Sequence, residues 1–353
     1  MNDIAEPFGS LSQLIRDAIQ ASSPAWVADL VLAALSVVIV IAVVPGLVIS
    51  AIWAERRIIA KMQDRIGPNR VGPFGLLQPI ADAVKLLAKE DVIPSGVDRP
   101  LFIAAPIIVL GGSLMVWATI PWGPGLSPAD LNVGVLFVIA MAGLPTLGII
   151  MAGWSSNNKY SLFGGMRAAA QFISYEIVGV LAAVIPVMLA GSMQLGQIVK
   201  AQEAVWFVFY PVIGQLAFLI FLIAGIAESN RSPFDLVEAE SELGGGFHTE
   251  YSGMRFAVFF LAEYANMFAI SGMGTILFLG GWTPVLGIPL PPFIWFFLKM
   301  YFLAFVFIWI RSTLPRLRYD QLMHFAWKQL LPLSLLNVGV TSVAVAAAKQ
   351  MLR

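Results

Sequence analysis

Eight stretches of 19 or more predominantly apolar residues divide this chain of 353 residues. Each is long enough to cross a hydrocarbon core about 30 Å thick as a helix. A lipid-exposed open sheet would leave backbone N–H and C=O groups without partners, so helices are the expected solution. The spacing predicts them at approximately 27–54, 100–121, 131–153, 168–190, 205–228, 254–279, 293–311 and 328–348. The fold class expected is an all-α polytopic membrane protein with eight transmembrane helices, an amphipathic interfacial helix and a structured acidic cytoplasmic loop. Composition agrees: 59% of residues are hydrophobic and 12% charged, where soluble domains carry about 45–50% and about 25%. The first stretch is long and contains Pro45-Gly46, which predicts a tilt or a kink.

Charge alternates from loop to loop. The connections after stretches 1, 3, 5 and 7 hold sixteen of the twenty-one Lys and Arg residues, eight of them in the first. By the positive-inside rule these loops are cytoplasmic and both termini lie outside. The organisation expected is one integral domain over 1–353. It comprises an outer N-terminal segment (1–26), a cytoplasmic loop with an amphipathic helix (55–99) and an acidic cytoplasmic loop (229–253). The first 25 residues carry Asp3, Glu6, Arg16 and Asp17 and lack a basic start and a cleavage site, so a removable signal peptide is not expected.

Several chemistries are excluded or lack a visible home. With no cysteine there is no thiolate metal ligand and no cysteine-held iron–sulfur cluster. His248 and His324 are the two imidazoles, and both are expected in loops, which excludes a bis-histidine haem within the bilayer. No P-loop, GxGxxG or HExxH sequence occurs, and no metal site is expected.

The segment ESNRSPFDLVEAESELGGGFHTEY gathers Glu228, Asp235, Glu238, Glu240, Glu242 and Glu250 around one cation, Arg231. A solvated loop would account for charge alone, yet three features go further. Pro233 opens an expected short helix on which Glu238 and Glu242 repel at i,i+4. Gly244 to Gly246 end that helix. The Phe, Leu, Val and Tyr residues make the loop too apolar to float free, so its carboxylates are expected to be held against protein. Two more acids fall inside stretches: Glu176 and Glu263 sit eight and nine residues in, roughly 12 to 14 Å along their helices. Ionisable groups in a bilayer usually mark an ion or proton path. The plainer alternative is pairing with a nearby cation for packing. Lys299, near the outer end of stretch 7, is expected to snorkel.

After the first stretch, Leu77, Ile80, Ala81, Val84 and Leu87 recur at helical spacing opposite Asp82, Lys85 and Lys89. This pattern predicts an amphipathic helix suited to the interface. Topology and lipid binding explain the basic groups adequately. The mixed signs of Glu55, Arg56, Arg57, Asp64, Arg65 and Asp82 beside apolar surface also suit a mouth for an amphiphile with a polar head.

Together the segments ERRIIAKMQDRIGPNRVGPFGLLQPIADAVKLLAKED, AGWSSNNKYSLFG, RAAAQFISYE, SPFDLVEAESEL, GGFHTEYSGMRF, LGGW and RLRYDQLMHFAWK resemble one family. It is the quinone-side membrane subunit of proton-pumping NADH:quinone oxidoreductase, respiratory complex I, called the H subunit in bacteria and NADH dehydrogenase subunit 1 in mitochondria. The likeness runs in order from about Glu55 to Lys328. It implies a place at the heel of an L-shaped complex in a bacterial inner membrane, where the chain forms part of the chamber for quinone, the substrate. No cofactor is implied on this chain alone; flavin and iron–sulfur clusters belong to partner subunits. The implied partners are the peripheral-arm quinone-site subunits, small membrane subunits, antiporter-like pumping subunits and the lipid bilayer, with no nucleic acid.

The resemblance assigns Glu55, Arg56, Arg65 and Asp82 to quinone binding. It assigns Glu176, Glu228, Asp235, Glu238, Glu240, Glu242, Glu250 and Glu263 to proton coupling. One departure stands out: some members carry a further glutamate near the position of Gly143, where this chain has no carboxylate. Two alternatives remain open on the residues, a freestanding proton-coupled carrier using Glu176 and Glu263, and a related subunit of a hydrogenase or ferredoxin-linked assembly.

Overall fold

The computed structural model describes residues 24–237, 244–285 and 288–351. Helix α1 (Ala25–Met62) runs through Pro45 without a break in assignment. Its 38 residues span roughly 57 Å, far more than the ~30 Å core. The charged residues Glu55–Arg57 fall in its last two turns. The amphipathic pattern becomes α2 (Gln78–Ala88), with Leu77, Ile80, Val84 and Leu87 exposed along one side.

Helix α3 (Arg99–Val116) follows, then α4 (Gly134–Ala142) and α5 (Leu144–Ser155). The last two together fill the third expected stretch. Pro145 has no N–H to return to the Met141 carbonyl, so the ladder weakens at Gly143. Helix α6 (Lys159–Ala190) begins nine residues before its expected start, because the Asn158 side chain accepts the Tyr160 N–H and caps it. Glu176 consequently lies 17 residues into the helix, roughly 26 Å along it, deeper than its sequence position suggested.

Beyond α7 (Leu195–Ala201), the expected fifth stretch is shortened to α8 (Ile213–Glu228), 16 residues long. The buried Gln202 side chain explains the loss. Its Oε1 accepts the N–H groups of Phe207 (3.3 Å) and Gly280 (3.0 Å), so residues after Gln202 form a tied loop rather than helix. Helices α9 (Gly253–Phe278), α10 (Pro292–Thr313), α11 (Tyr319–Phe325) and α12 (Leu331–Met351) complete the chain, with a π-turn at Ala326–Leu330 joining the last two. His324 is thus helical, contrary to its expected loop position. Among the described residues seven helices or continuous helical units are long and apolar enough to cross a membrane, and α8 is a shorter apolar eighth.

Helix α9 is the hub, buried over nearly its whole second half from Tyr264 to Phe278. Close contacts between helices rest on glycine. A Cβ at Gly153 on α5 would lie 2.8 Å from the Ser161 carbonyl and 3.1 Å from Gly165 Cα on α6. At the basic end Phe234, Leu236, Val237, Phe247 and Tyr251 are all buried, so the acidic loop is anchored in the core as its apolar content required. Tyr251 stacks on Phe102 at 4.0 Å and donates to its carbonyl, while Ser161 donates to the Phe247 carbonyl.

The helix expected from Pro233 does not begin there: Pro233–Val237 is turn and irregular chain. Its carbonyls are claimed from elsewhere, that of Pro233 by the Leu317 N–H and that of Phe234 by the buried Gln171 amide. The remainder of that expected helix, with Glu238, Glu240 and Glu242, lies outside the described residues.

Gly164 is where α6 meets the loop backbone: a Cβ there would stand 2.7 Å from Gly246 Cα and from the Phe247 nitrogen. Gly164→Val is expected to destabilise the protein by about 1–3 kcal/mol through overpacking. Gly46→Ala, where nothing lies within 4 Å, serves as the control. Thermal unfolding of both variants in detergent checks the difference.

Candidate functional site

The Arg231 side chain organises the basic end. Asn230, immediately after α8, adopts a left-handed backbone (φ 50°) that short polar side chains tolerate, and it turns the chain beneath the helices. Arg231 is 2% exposed. Its Nη1 donates to both carboxylate oxygens of Glu55 on α1, at 3.3 and 3.2 Å. Its Nε stands 3.1 Å from Glu263 Oε1 on α9. The guanidinium also lies over the Tyr264 ring, 4.1 Å from the centroid. Arg311 on α10 closes the group by donating to Glu55 Oε1.

Two carboxylates and two guanidiniums from four chain segments thus form one cluster, with Arg231 and Glu55 buried and Glu263 and Arg311 part-buried. Burial works against the Arg231 charge, but Glu263, Tyr264 and Glu55 more than offset it and hold its pKa above the ordinary arginine value.

The residues that the resemblance assigns to quinone binding take different partners. Glu55 joins the Arg231 cluster. Arg56 pairs with Asp82 at 2.5 Å on the surface, and Gln78 supports that aspartate at 3.0 Å. Arg65 is exposed and donates to Gln63. The neighbouring Arg57 lies between the Trp53 and Phe74 rings and donates to the Phe74 carbonyl, fixing the turn that leads to α2.

In the acidic loop, Asp235 pairs with Arg316 at 3.0 Å and Glu250 accepts from the Asn158 amide at 2.6 Å.

The acids within the helices meet around two small cavities. One, of about 40 Å³, is lined by Ser113, Glu228, Asn230, His248, Glu263 and Asn266 with a wall of phenylalanines. The other, of about 60 Å³, is lined by Glu176, Glu228 and Asn266 among apolar side chains. Glu228 and Asn266 border both, so the four polar positions form a row from the Arg231 cluster to Glu176. Each cavity exceeds the room a single water needs and offers polar partners. Gly143 abuts the far end of the row: a Cβ there would stand 2.9 Å from Glu176 Oε1. A side chain borne at position 143 would therefore meet Glu176.

Lys299 does reach the opposite end of the molecule, but it is buried rather than in water. Its Nζ donates to the carbonyls of Leu279, Gly281 and Thr283 at 2.6–3.0 Å, beneath Trp206.

The family model described as NADH dehydrogenase matches residues 35–342. The chain belongs to the NADH dehydrogenase family. It is 56% identical over 310 residues to the H subunit of NADH-quinone oxidoreductase from Geobacillus kaustophilus (strain HTA426), covering 87% of this chain and 92% of that protein. It is 55% identical over 324 residues to the H subunit from Geobacillus thermodenitrificans (strain NG80-2), covering 91% and 96%. The H subunit from Bacillus cytotoxicus is 52% identical over the same coverage.

For this family member, sequence reasoning brought Glu55, Glu228, Glu176 and Glu263 forward but gave no role to Arg231, Arg311, Asn266 or His248. A lone arginine amid six carboxylates was the available signal for Arg231; its partners lie 176 and 32 positions away in the chain, beyond any local pattern.

Replacing Arg231 with Met removes the shared partner of buried Glu55 and part-buried Glu263 and is expected to cost about 3–5 kcal/mol. Arg56→Ala breaks a surface pair worth about 0–1 kcal/mol. Chemical denaturation of the two variants measures the contrast. A second expectation concerns acid stability. Burial pushes the His248 imidazole down from 6.5 to about 4, so the folded protein keeps it neutral where the unfolded chain would protonate it. Its contribution to stability is complete above pH ~6.5 and is lost as pH falls toward 4. The acid limb of the melting-temperature profile should flatten in His248→Asn.

Proposed function

We propose that this chain is a membrane subunit of a proton-translocating NADH:quinone oxidoreductase. It walls part of the quinone chamber and carries the effect of quinone reduction into the membrane through a row of carboxylates. The observation that carries this reading is the Arg231 cluster. It ties Glu55, on the segment leading to α2, directly to Glu263 in α9, and the shared cavities continue the row to Glu228 and Glu176.

In this reading α2 lies at the membrane interface and the quinone head enters past Glu55, Arg56, Arg65 and Asp82. The loop acids Asp235, Glu238, Glu240, Glu242 and Glu250 lie beneath the chamber. The shorter α8 serves as an eighth span. The basic loops face the cytoplasm of a bacterial cell, with both termini outside its inner membrane. Flavin and iron–sulfur clusters sit on peripheral-arm partners, and small and antiporter-like membrane subunits flank the chain.

Reduction of quinone to quinol takes two electrons and two protons, and negative charge develops on the quinone oxygens before protons arrive. Two unit charges about 8 Å apart interact by roughly 2 kcal/mol at an effective dielectric near 20. That is about one and a half pKa units, enough to move a proton among carboxylates held in one network. The loop acids supply or relay protons, Arg231 shifts its balance between Glu55 and Glu263, and the change reaches Glu228 and Glu176.

Photo-crosslinking in the intact complex with a ring-labelled azidoquinone, competed by native quinone, tests the chamber. Competed label within Glu55–Asp82 or the acidic loop is expected; its absence from this chain in an active complex contradicts the assignment. Asp235→Asn and Glu263→Gln are expected to lower quinone-linked proton pumping at least tenfold with assembly retained. Normal pumping in both would sink the coupling role.

A further inference from the structure

The cavity bounded by Glu228 and Glu263 has one wall that the carboxylate row does not use. His248, in the short turn Gly246–His248 of the acidic loop, lines it together with those two acids. The turn is held firmly. Gly246 packs against Gly164 of α6, the Phe247 carbonyl accepts from Ser161, and the imidazole meets Phe247 and Phe256 edge-on at 4.9 and 5.2 Å. Glu250, which accepts from Asn158, is two residues further along the same loop. His248 therefore stands where the loop meets the interior cavity. Besides Glu228 and Glu263, the polar groups around that space are Ser113, Ser229, Asn230 and Asn266, none of which titrates near neutrality.

We infer that His248 is a proton relay between the acidic loop and the Glu228–Glu263 pair, working through the cavity they share. This rests on the coupling role proposed above and adds the residue by which protons enter the row. The chemistry suits a neutral imidazole. It has one N–H donor and one bare nitrogen acceptor, so it takes a proton on one nitrogen while the proton on the other leaves. On the loop side the donor is a carboxylic acid or a water. On the cavity side the acceptor is the carboxylate of Glu228 or Glu263, directly or across a water. The ring ends neutral in its other tautomer, and ring rotation or the reverse transfer resets it. One proton is moved and no net charge stays on the imidazole. A phenylalanine-lined wall favours that, because it disfavours a lasting imidazolium.

The competing account is that His248 only fills space among aromatic rings. His248→Ala in the intact membrane complex separates the two, with NADH-driven proton pumping as the readout and added imidazole or pyrrole as probes. Pyrrole has the same ring shape but no acceptor nitrogen. A relay predicts at least a tenfold loss of pumping in an assembled complex, restored by imidazole and not by pyrrole. Undiminished pumping, or equal recovery with both probes, overturns it.

Where neither probe enters the site, His248→Gln decides, since an amide hydrogen-bonds but does not cycle a proton. A loss matching that of His248→Ala supports the relay, and full pumping overturns it. Glu228→Gln runs in parallel. If pumping fails there but survives at position 248, the relay alone is wrong. If it survives in both, the carboxylate row is wrong as well.

Discussion

A buried guanidinium is tolerated only where its charge is matched, and that requirement at Arg231 governs the basic end of the molecule. Satisfying it brings together α1 through Glu55, α9 through Glu263 and Tyr264, and α10 through Arg311 and its contact with Glu55. Such a pairing does not by itself add much stability over a well-packed apolar alternative. Its effect is on arrangement, because removing any one member leaves an uncompensated charge in a poorly solvated place. The three helices are thereby held in a common register at the point where the segment toward α2 joins the acidic loop.

The density of negative charge in that loop now has a physical setting. The loop is fixed to the core by buried Phe234, Leu236, Val237, Phe247 and Tyr251, and its backbone carbonyls are bonded by Leu317, Gln171 and Ser161. Its described carboxylates are each spoken for: Asp235 by Arg316 and Glu250 by Asn158. At the opposite end Lys299 and Gln202 instead bond backbone groups, Lys299 the carbonyls of Leu279 and Thr283, and Gln202 the Ile276 carbonyl of α9 and the Gly280 N–H. The two ends of the molecule thus carry polar groups of different kinds, ion pairs at one and side-chain bonds to the backbone at the other.

Much of the fold was legible in the sequence, since apolar length dictates helices in lipid and, among the described residues, seven of the eight expected spans coincide with helical units long and apolar enough to cross a membrane. The failures trace to single side chains acting at a distance. Asn158 capped a helix where the sequence read as loop, and Gln202 unwound the start of another by binding Phe207 and Gly280. Pro233 looked like a helix start, but its carbonyl and that of Phe234 were taken by Leu317 and Gln171. At the site, acids inside apolar runs were conspicuous. Their partners were not, because a contact such as Arg231 to Glu55 joins residues 176 positions apart. Glu55 and Arg56, adjacent in the chain, point about 100° apart on their helix and so meet different partners, which adjacency alone does not reveal.

The central claim is that Glu55 and Glu263 act as one unit through Arg231. The most direct test is the rate of NADH-driven proton pumping in assembled complexes carrying Glu55→Gln, Glu263→Gln and both together. A single unit predicts strong non-additivity, with the double variant losing no more than the worse single variant. Losses that multiply would show two independent groups and contradict the link.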